Sequence, residues 1–380
     1  MSSDLVWVAL SLLVWGFGEG AFFSFQPLYL QQLGADPLRI GAILSVYGFA
    51  QTIAHIPAGY LADRIGRRPL MWISWFIGAI ATVLMALATT LSVFILGLIL
   101  YGATSFVVSP LNSYVTSARG RWTVGRALTI ISASYNTGAI LGPIVGGWVG
   151  KNYGFRSIFM LAAVVFIVST LLILRIKSQP VEVRTNLQSS DRLINNLAYL
   201  RFMGLVFFAM FATYMPQPLA PNFLQNERSL DLVQIGQLYS IAALGLVLTN
   251  LILGNMEHRL GYLIGQVAVG VYAWVLWQQT GMIWYGLAFL FVGGYRTARF
   301  LAIAQVQALV HPANMGLAYG ISETISSSAM ILVPFVAGVL YTRDPLIIFP
   351  VSIGLILTSI LINGYYLYFR VSASKEAFTD

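Results

Sequence analysis

Long apolar stretches alternate with short polar ones along almost the whole chain. A helix that crosses a bilayer needs about 20 mostly apolar residues. Stretches that meet this length lie at about 5–31, 39–62, 70–89, 92–118, 125–150, 155–176, 201–225, 231–254, 262–278, 281–308, 315–341 and 345–369. The pattern predicts an all-α integral membrane protein with twelve transmembrane helices. They form two six-helix bundles, residues 1–176 and 201–380, joined by a cytoplasmic linker at 177–200.

The composition supports a membrane protein and argues against several classes of site. The chain is 58% hydrophobic and 9% charged, whereas soluble domains carry about 25% charged residues. It has no Cys, so it cannot form a disulfide or a thiolate metal site. The His residues lack the spacing of a zinc site, and no phosphate loop or nucleophile elbow is recognisable. We therefore expect no metal, no cofactor and no enzyme activity, and ATP-driven transport is disfavoured.

The basic residues predict the orientation in the membrane. If the N-terminus is inside, fourteen of the 21 Lys and Arg residues fall on the cytoplasmic face, five fall outside and two lie within a span. Because cytoplasmic loops of membrane proteins are enriched in Lys and Arg, both termini are expected in the cytoplasm, with the chain in the cell inner membrane. The net charge of +8 then reflects loop charges and not binding of nucleic acid. The first apolar stretch has no basic segment before it and no cleavage site after it, so it is expected to remain as a span.

A charged loop between the second and third spans contains the most specific motif. Its residues, Gly59 to Arg68, follow the pattern G-x-L-A-D-R-x-G-R-R-x-x-L and resemble the loop 2–3 signature of the major facilitator superfamily of secondary transporters. An ordinary charged loop is the alternative interpretation. The resemblance implies a monomeric transporter of small molecules whose two bundles are locked by this loop when the cavity faces outward. The implied lock residues are Gly59, Asp63, Arg64, Gly66, Arg67 and Arg68.

In that family the loop meets the start of the eleventh span, so Asp63 is expected near Gly316. The helix dipole and unpaired N–H groups favour an anion at a helix N-terminus. Asp63→Asn is then expected to weaken the lock and slow alternation of the cavity, with expression near normal. Unchanged transport by this variant would contradict the hypothesis.

The two halves carry weak internal repeats. The motif at Gly59–Gly66 is echoed at Gly254–Gly261, and Gly142–Gly147 is echoed at Val333–Gly338. Two pseudo-symmetric bundles related by duplication are typical of transporters that rock around a site near the midplane of the membrane.

A glycine motif in the fifth span is similar to a signature of superfamily members that export substrate in exchange for protons. Its residues are Gly138, Gly142, Pro143, Gly146 and Gly147. Small residues also pack helices in membrane proteins of every kind, which is the structural alternative. In the fourth span, Leu98 and Tyr101 stand where many such exporters carry Arg and Gln. The sequence therefore lacks the Arg on which that proton route depends.

Ionisable residues within spans are the candidates for chemistry, because they are costly in hydrocarbon and usually face a cavity or a partner. Glu19 lies well inside the first span. A carboxyl withdrawn from water could load and release a proton as the cavity alternates, and it could pair with a cationic substrate. Competition between the two would couple export to protons. A structural hydrogen bond to Trp or Tyr is the alternative role for Glu19.

A second charged group is predicted in the C-terminal half. Arg299 in the tenth span and Glu323 in the eleventh lie at similar depths, so Arg299 or its neighbour Arg296 is expected to pair with Glu323. A pair costs less to bury than either charge alone. Glu323 is the second candidate for proton coupling, and a purely static pair is the alternative. An Arg that instead faces the cavity would favour an anionic substrate.

Polar and aromatic residues at mid-span are candidates to line the substrate cavity, since aromatic side chains give broad contact with few polar demands. They are Phe22, Phe23, Gln26, Tyr47, Gln51, Ser105, Asn112, Asn136, Tyr214, Gln217, Tyr239, Arg296 and Arg299.

The sequence therefore predicts a proton-coupled antiporter of the drug-export branch that acts on small lipophilic compounds, cations included. The proton gradient is its energy source, and the bilayer, the proton and the substrate are its partners. One alternative is transport of a sugar or organic anion through Arg296 and Arg299. Another, of a different class, is a membrane receptor or scaffold that transports nothing.

Overall fold

The computed structural model describes residues 3–179, 196–306, 309–310 and 315–366, without the side chains of 55–64, 315–317 and 319. Within these ranges the chain is helical and contains no strand. The helices of the first half are α1 (Ser3–Phe23), α2 (Gln26–Gln32), α3 (Pro37–Ile65), α4 (Arg67–Leu87), α5 (Leu91–Ala103), a 3-10 segment (Thr104–Val107), α6 (Val108–Ala118), α7 (Val124–Tyr153) and α8 (Phe155–Ile173). Those of the second half are α9 (Leu197–Tyr214), α10 (Ala220–Asn226), α11 (Leu232–Leu253), α12 (His258–Gln278), α13 (Met282–Val292), α14 (Gly294–Gln305), α15 (Met315–Arg343) and α16 (Ile348–Tyr365).

Every predicted span coincides with one helix or with consecutive helices. Among the described residues, eleven helical segments are long and apolar enough to cross a membrane. The predicted second span coincides with α3, a helix of 29 residues. The predicted all-helical membrane fold is thus confirmed.

Four predicted spans are interrupted, which hydrophobicity alone does not reveal. The first breaks after Phe23, the fourth passes through the 3-10 segment at Thr104–Val107, the seventh breaks after Tyr214, and the tenth breaks at Gly293. Proline follows or adjoins three of these breaks. It interrupts a helix because it lacks an amide hydrogen and its ring crowds the preceding turn. The prolines are Pro27, Pro110, Pro216 and Pro218.

The chain forms two compact units. The first comprises residues 1–186 together with 221–240, and the second comprises 187–220 together with 241–380. Residues 221–240, which the sequence assigns to the C-terminal bundle, thus cluster with the first unit. Side chains account for this: Asn222 donates to the Gln31 amide oxygen at 2.7 Å, and Lys151 donates to the Asp231 carboxylate at 2.7 Å.

Helix α1 packs backbone against backbone on α7 in the first unit. Cβ atoms added to Gly138, Gly142 or Gly146 would overlap the α1 backbone between Leu13 and Ala21. From the other side, a Cβ on Gly20 would lie 2.9 Å from the carbonyl oxygen of Ala139. The glycine face therefore sets the distance between α1 and α7, and with it the position of everything that α1 carries.

Buried polar clusters tie the helices of each unit together. In the first unit the Trp75 indole donates to the hydroxyls of Ser11 (2.7 Å) and Ser169 (2.9 Å). In the second unit the Ser359 hydroxyl donates to Gln266 at 2.7 Å, and the Tyr262 hydroxyl donates to the Asn363 side-chain oxygen at 3.3 Å. Such interhelical hydrogen bonds hold helices together in a medium that gives no hydrophobic driving force between them.

Candidate functional site

Glu19 lies on α1 among neutral hydrogen-bond donors. The indole Nε1 of Trp15, one turn earlier, donates to Glu19 Oε2 at 3.2 Å. The hydroxyl of Tyr101 on α5 also hydrogen-bonds to the Glu19 side chain. Both donors belong to residues that are almost fully buried. An indole and a phenol can stabilise a carboxylate without bringing a positive charge to it.

Aromatic rings surround this carboxylate. Trp15 lies 4.4 Å from the ring of Phe166 and stacks at 6.3 Å on Tyr101. Tyr47 and Tyr135 lie within electrostatic range of the Tyr101 hydroxyl. Glu19 is half-buried at the edge of this cluster. We call Glu19, Trp15 and Tyr101 the α1 carboxylate site.

The predicted cavity residues of the first unit are placed in different surroundings. Phe22 is fully buried and packs 5.1 Å from the ring of Tyr101, inside the aromatic core. Phe23 lies 6.2 Å from the ring of Tyr47. Gln26 is 1% exposed, and its Nε2 has no hydrogen-bond partner among the described residues. Phe22 thus packs against the α1 carboxylate site through Tyr101.

The remaining candidates of this unit lie elsewhere. Asn136 donates to the carbonyl of Ser132 in its own helix at 2.9 Å. Four others are half-buried or exposed along their helices: Gln51, Ser105, Asn112 and Tyr239.

The second unit holds the other charged group. Arg299 on α14 donates to the carboxylate of Glu323 on α15 and, at 3.0 Å, to the hydroxyl of Ser327. Of the two arginines proposed as its partner, Arg299 is thus the one that pairs with Glu323. Arg296 is exposed. The Tyr214 ring stacks on Tyr295 at 5.3 Å, and Gln217 donates to the Thr213 carbonyl at 2.8 Å.

The proposed conformational lock is only partly within the described residues. Gly66 caps α4 with φ of +85°, a backbone angle that residues with a Cβ rarely adopt. Arg67 donates to the Ser117 hydroxyl and, at 3.3 Å, to the Gln179 side chain, and Arg68 lies 3.9 Å from the Trp72 ring. The side chains of Asp63 and Arg64 and the surroundings of Gly59 and Gly316 lie outside what the structure describes, so the Asp63 contact stays a prediction.

Several residues that complete these groups are not predicted by the sequence. Tyr101 stands out there only as a departure from an exporter motif, yet it donates to Glu19. The i,i+4 spacing of Trp15 and Glu19 was a usable signal, because residues four apart are neighbours on a helix. Ser327 and Tyr295 gave no comparable signal.

Comparisons with known proteins fit this architecture. The family model of the Major Facilitator Superfamily matches residues 8–334. A multidrug resistance protein, MdtG, of Escherichia coli is 35% identical over 177 residues, which cover 43% of this chain and 43% of MdtG. An uncharacterized MFS-type transporter of Methanocaldococcus jannaschii is 29% identical over 143 residues, 37% of each chain. The matched stretches thus span less than half of these relatives.

Solved structures match over almost the whole chain. A crystal structure of the nucleoside transporter NupG superposes with a TM-score of 0.82 over 95% of this chain and 99% of that one, at 18% identity. A peptide transporter, POT, superposes with a TM-score of 0.80 over 97% and 94%, at 15% identity. At these identities the likeness establishes the fold alone.

Proposed function

The chain belongs to the major facilitator superfamily and is a multi-pass membrane transporter, and from this we propose that it exports small lipophilic compounds, cations among them, in exchange for protons. The observation that carries the proposal is the α1 carboxylate site: an acid within a spanning helix, held by the neutral donors Trp15 and Tyr101. The similarity to MdtG, named a multidrug resistance protein, supports the same class of substrate.

The surroundings of Glu19 suit a group that exchanges a proton for a cation. When Glu19 is ionised, the indole and the phenol satisfy its oxygens. When it is protonated, neither donor is left as an uncompensated charge, whereas a paired Arg would be. The aromatic rings around it offer broad contact to a lipophilic body and attract cations through their faces. A proton and a cationic substrate would therefore compete for one carboxylate.

The energy source in this proposal is the proton gradient, with no cofactor. Both termini lie in the cytoplasm of a cell whose inner membrane holds the protein as a monomer. The paired bundles alternate access to the site, as in other secondary transporters with repeated halves.

Transport of a sugar or organic anion is the competing proposal. Since Arg299 is paired with Glu323 and Ser327, this alternative depends on Arg296.

The test uses purified protein in proteoliposomes with an imposed pH gradient. Uptake of a lipophilic cationic dye is followed together with the internal pH. We expect dye movement coupled to proton counterflow in the wild type. In Glu19→Gln, which keeps the shape and removes the titratable group, we expect proton-coupled exchange to fall at least about a hundredfold, because Glu19 is the group that carries the exchanged proton in this mechanism.

Glu257→Gln is the matched control, since it removes a carboxylate with a 62% exposed side chain next to Arg259. This control should transport like the wild type. Coupled exchange that persists in Glu19→Gln would refute the role of Glu19, and no dye movement in the wild type would favour the anion alternative.

A further inference from the structure

A cluster of side chains in the second unit has features of a binding site. Its members are Tyr214 on α9 and Tyr295, Arg296 and Arg299 on α14, with Glu323 on α15. The Tyr214 and Tyr295 rings are stacked, with centroids 5.3 Å apart and planes at 28°. Arg296 and Arg299, three residues apart, lie on neighbouring positions of one helix face.

The charges of this cluster do not cancel. Arg299 is neutralised by Glu323, to which it donates a hydrogen bond. Arg296 adds a second positive charge on the same face, and its side chain is exposed. An arginine in the middle of a spanning helix is very costly against lipid, so such residues face the protein interior or a water-filled cavity. On this ground we take the exposed side of Arg296 to face water and not lipid.

A buried hydroxyl points to the same place. Tyr295 is 5% exposed, and its hydroxyl has no hydrogen-bond partner among the residues the structure describes. Arg296, Arg299 and Glu323 all lie within electrostatic range of it. A buried hydroxyl without a partner is unfavourable, and a ligand that accepts a hydrogen bond would remove that penalty. Its ring already stacks on Tyr214.

We propose that Tyr214, Tyr295 and Arg296 form a subsite for the carboxylate of an aromatic substrate. The guanidinium of Arg296 binds the carboxylate in a charge-assisted contact, the Tyr295 hydroxyl donates to it, and the tyrosine pair packs against the attached ring. The inference rests on the proposed export of lipophilic cations. It widens that substrate class to zwitterions: compounds with a cationic centre, an aromatic body and an acidic group.

Rhodamine B and its ethyl ester form a suitable probe pair, because they share the cationic ring system and only the first has a free carboxylate. Binding of each dye to the purified full-length protein is measured by fluorescence polarisation. We expect the wild type to bind the free acid about tenfold more tightly than the ester, the factor that one charge-assisted contact provides. Arg296→Gln should abolish this preference, so that the ratio of the two affinities falls to about one.

Two further variants separate a contact from a folding defect. Arg296→Lys keeps the charge but not the planar fork, so it should retain part of the preference. Tyr295→Phe removes only the hydroxyl and should lower affinity for the acid by about threefold. Arg343→Gln, at the end of α15, removes a charge far from the cluster along the helix. It should change the binding of neither dye.

The outcomes separate this inference from the proposed function. Equal wild-type affinity for acid and ester, or an acid preference that survives Arg296→Gln, overturns the subsite while ester binding upholds the function. If the wild type binds neither dye, both the proposed function and the subsite are contradicted.

Discussion

Glu19 in the first unit and Glu323 in the second are both carboxylates within spanning helices, but their partners differ. Glu19 accepts hydrogen bonds from the neutral Trp15 and Tyr101. Glu323 is bound by the cationic Arg299, which Ser327 also contacts. Protonating Glu19 leaves Trp15 and Tyr101 uncharged, whereas protonating Glu323 leaves the Arg299 guanidinium without its counter-ion. The first arrangement suits an exchangeable proton, and the second suits a fixed link between α14 and α15.

The two carboxylates also differ in how their helices are held. Helix α1 lies against the glycine face of α7, so its backbone position is fixed by contact. Helices α14 and α15 meet at Arg299 and Glu323 through long side chains. The position of Glu19 thus depends on backbone packing, while the ion pair adds a side-chain link between α14 and α15.

The largest effect is expected from disrupting the packing of α1 on α7, because this packing positions Glu19. Gly142→Val would drive its side chain into the α1 backbone near Phe17 and Gly20, at a cost of about 3 kcal/mol or more. We expect loss of most monodisperse protein in size-exclusion chromatography. Gly320→Ala on α15 is the control, because a Cβ there meets no described atom within 4 Å. A normal yield of Gly142→Val would contradict the claim that the glycine face of α7 sets the position of α1.

A smaller effect on stability is expected from removing one partner of the Arg299–Glu323 ion pair. Glu323→Leu leaves Arg299 without its carboxylate and should destabilise the protein by about 2 kcal/mol. This is less than for a fully buried pair, since the Glu323 side chain is 46% exposed. The double variant Arg299→Met/Glu323→Leu should recover most of the melting temperature in detergent. If the double variant melts no higher than Glu323→Leu, the pair is not what holds these helices.

An effect on the rate of coupled exchange is expected from removing the hydrogen bond between the Tyr101 hydroxyl and Glu19. Tyr101→Phe keeps the ring and removes the donor, and the loss of about 1 kcal/mol corresponds to roughly fivefold slower coupled exchange. Dye efflux with simultaneous pH recording measures it, and Tyr153→Phe, at an exposed ring, should behave as the wild type. An unchanged rate in Tyr101→Phe would show that Glu19 works without this hydroxyl.

The smallest effect is expected at the ion pair of Lys151 and Asp231, whose side chains are 54% and 40% exposed. The hydrogen bond from Lys151 lowers the pKa of Asp231. The stabilisation is therefore complete above the unfolded pKa of about 3.9 and is lost as the pH falls through the lower folded value. Lys151→Gln should cost about 0.5 kcal/mol or less at pH 7. Its melting temperature should approach that of the wild type below about pH 4, and a difference that grows in acid would contradict this assignment.

The sequence by itself determined the spans, because the thickness of the bilayer sets the length of apolar stretch that a span needs, and this length is a local property of the sequence. It also located Glu19, Arg299 and Glu323 as the costly charges, since each lies inside an apolar stretch. The glycines of the fifth span indicated a close helix contact, and α1 makes that contact along Gly138, Gly142 and Gly146.

Only the tertiary structure decided which groups meet. Tyr101 reaches Glu19, and Arg299 rather than Arg296 reaches Glu323, because contact between helices depends on the rotation and depth of each helix. The structure likewise placed residues 221–240 with the first unit, through contacts such as Lys151 with Asp231. Hydrophobicity is nearly uniform around a spanning helix and so does not encode these rotations, which packing and interhelical hydrogen bonds set instead.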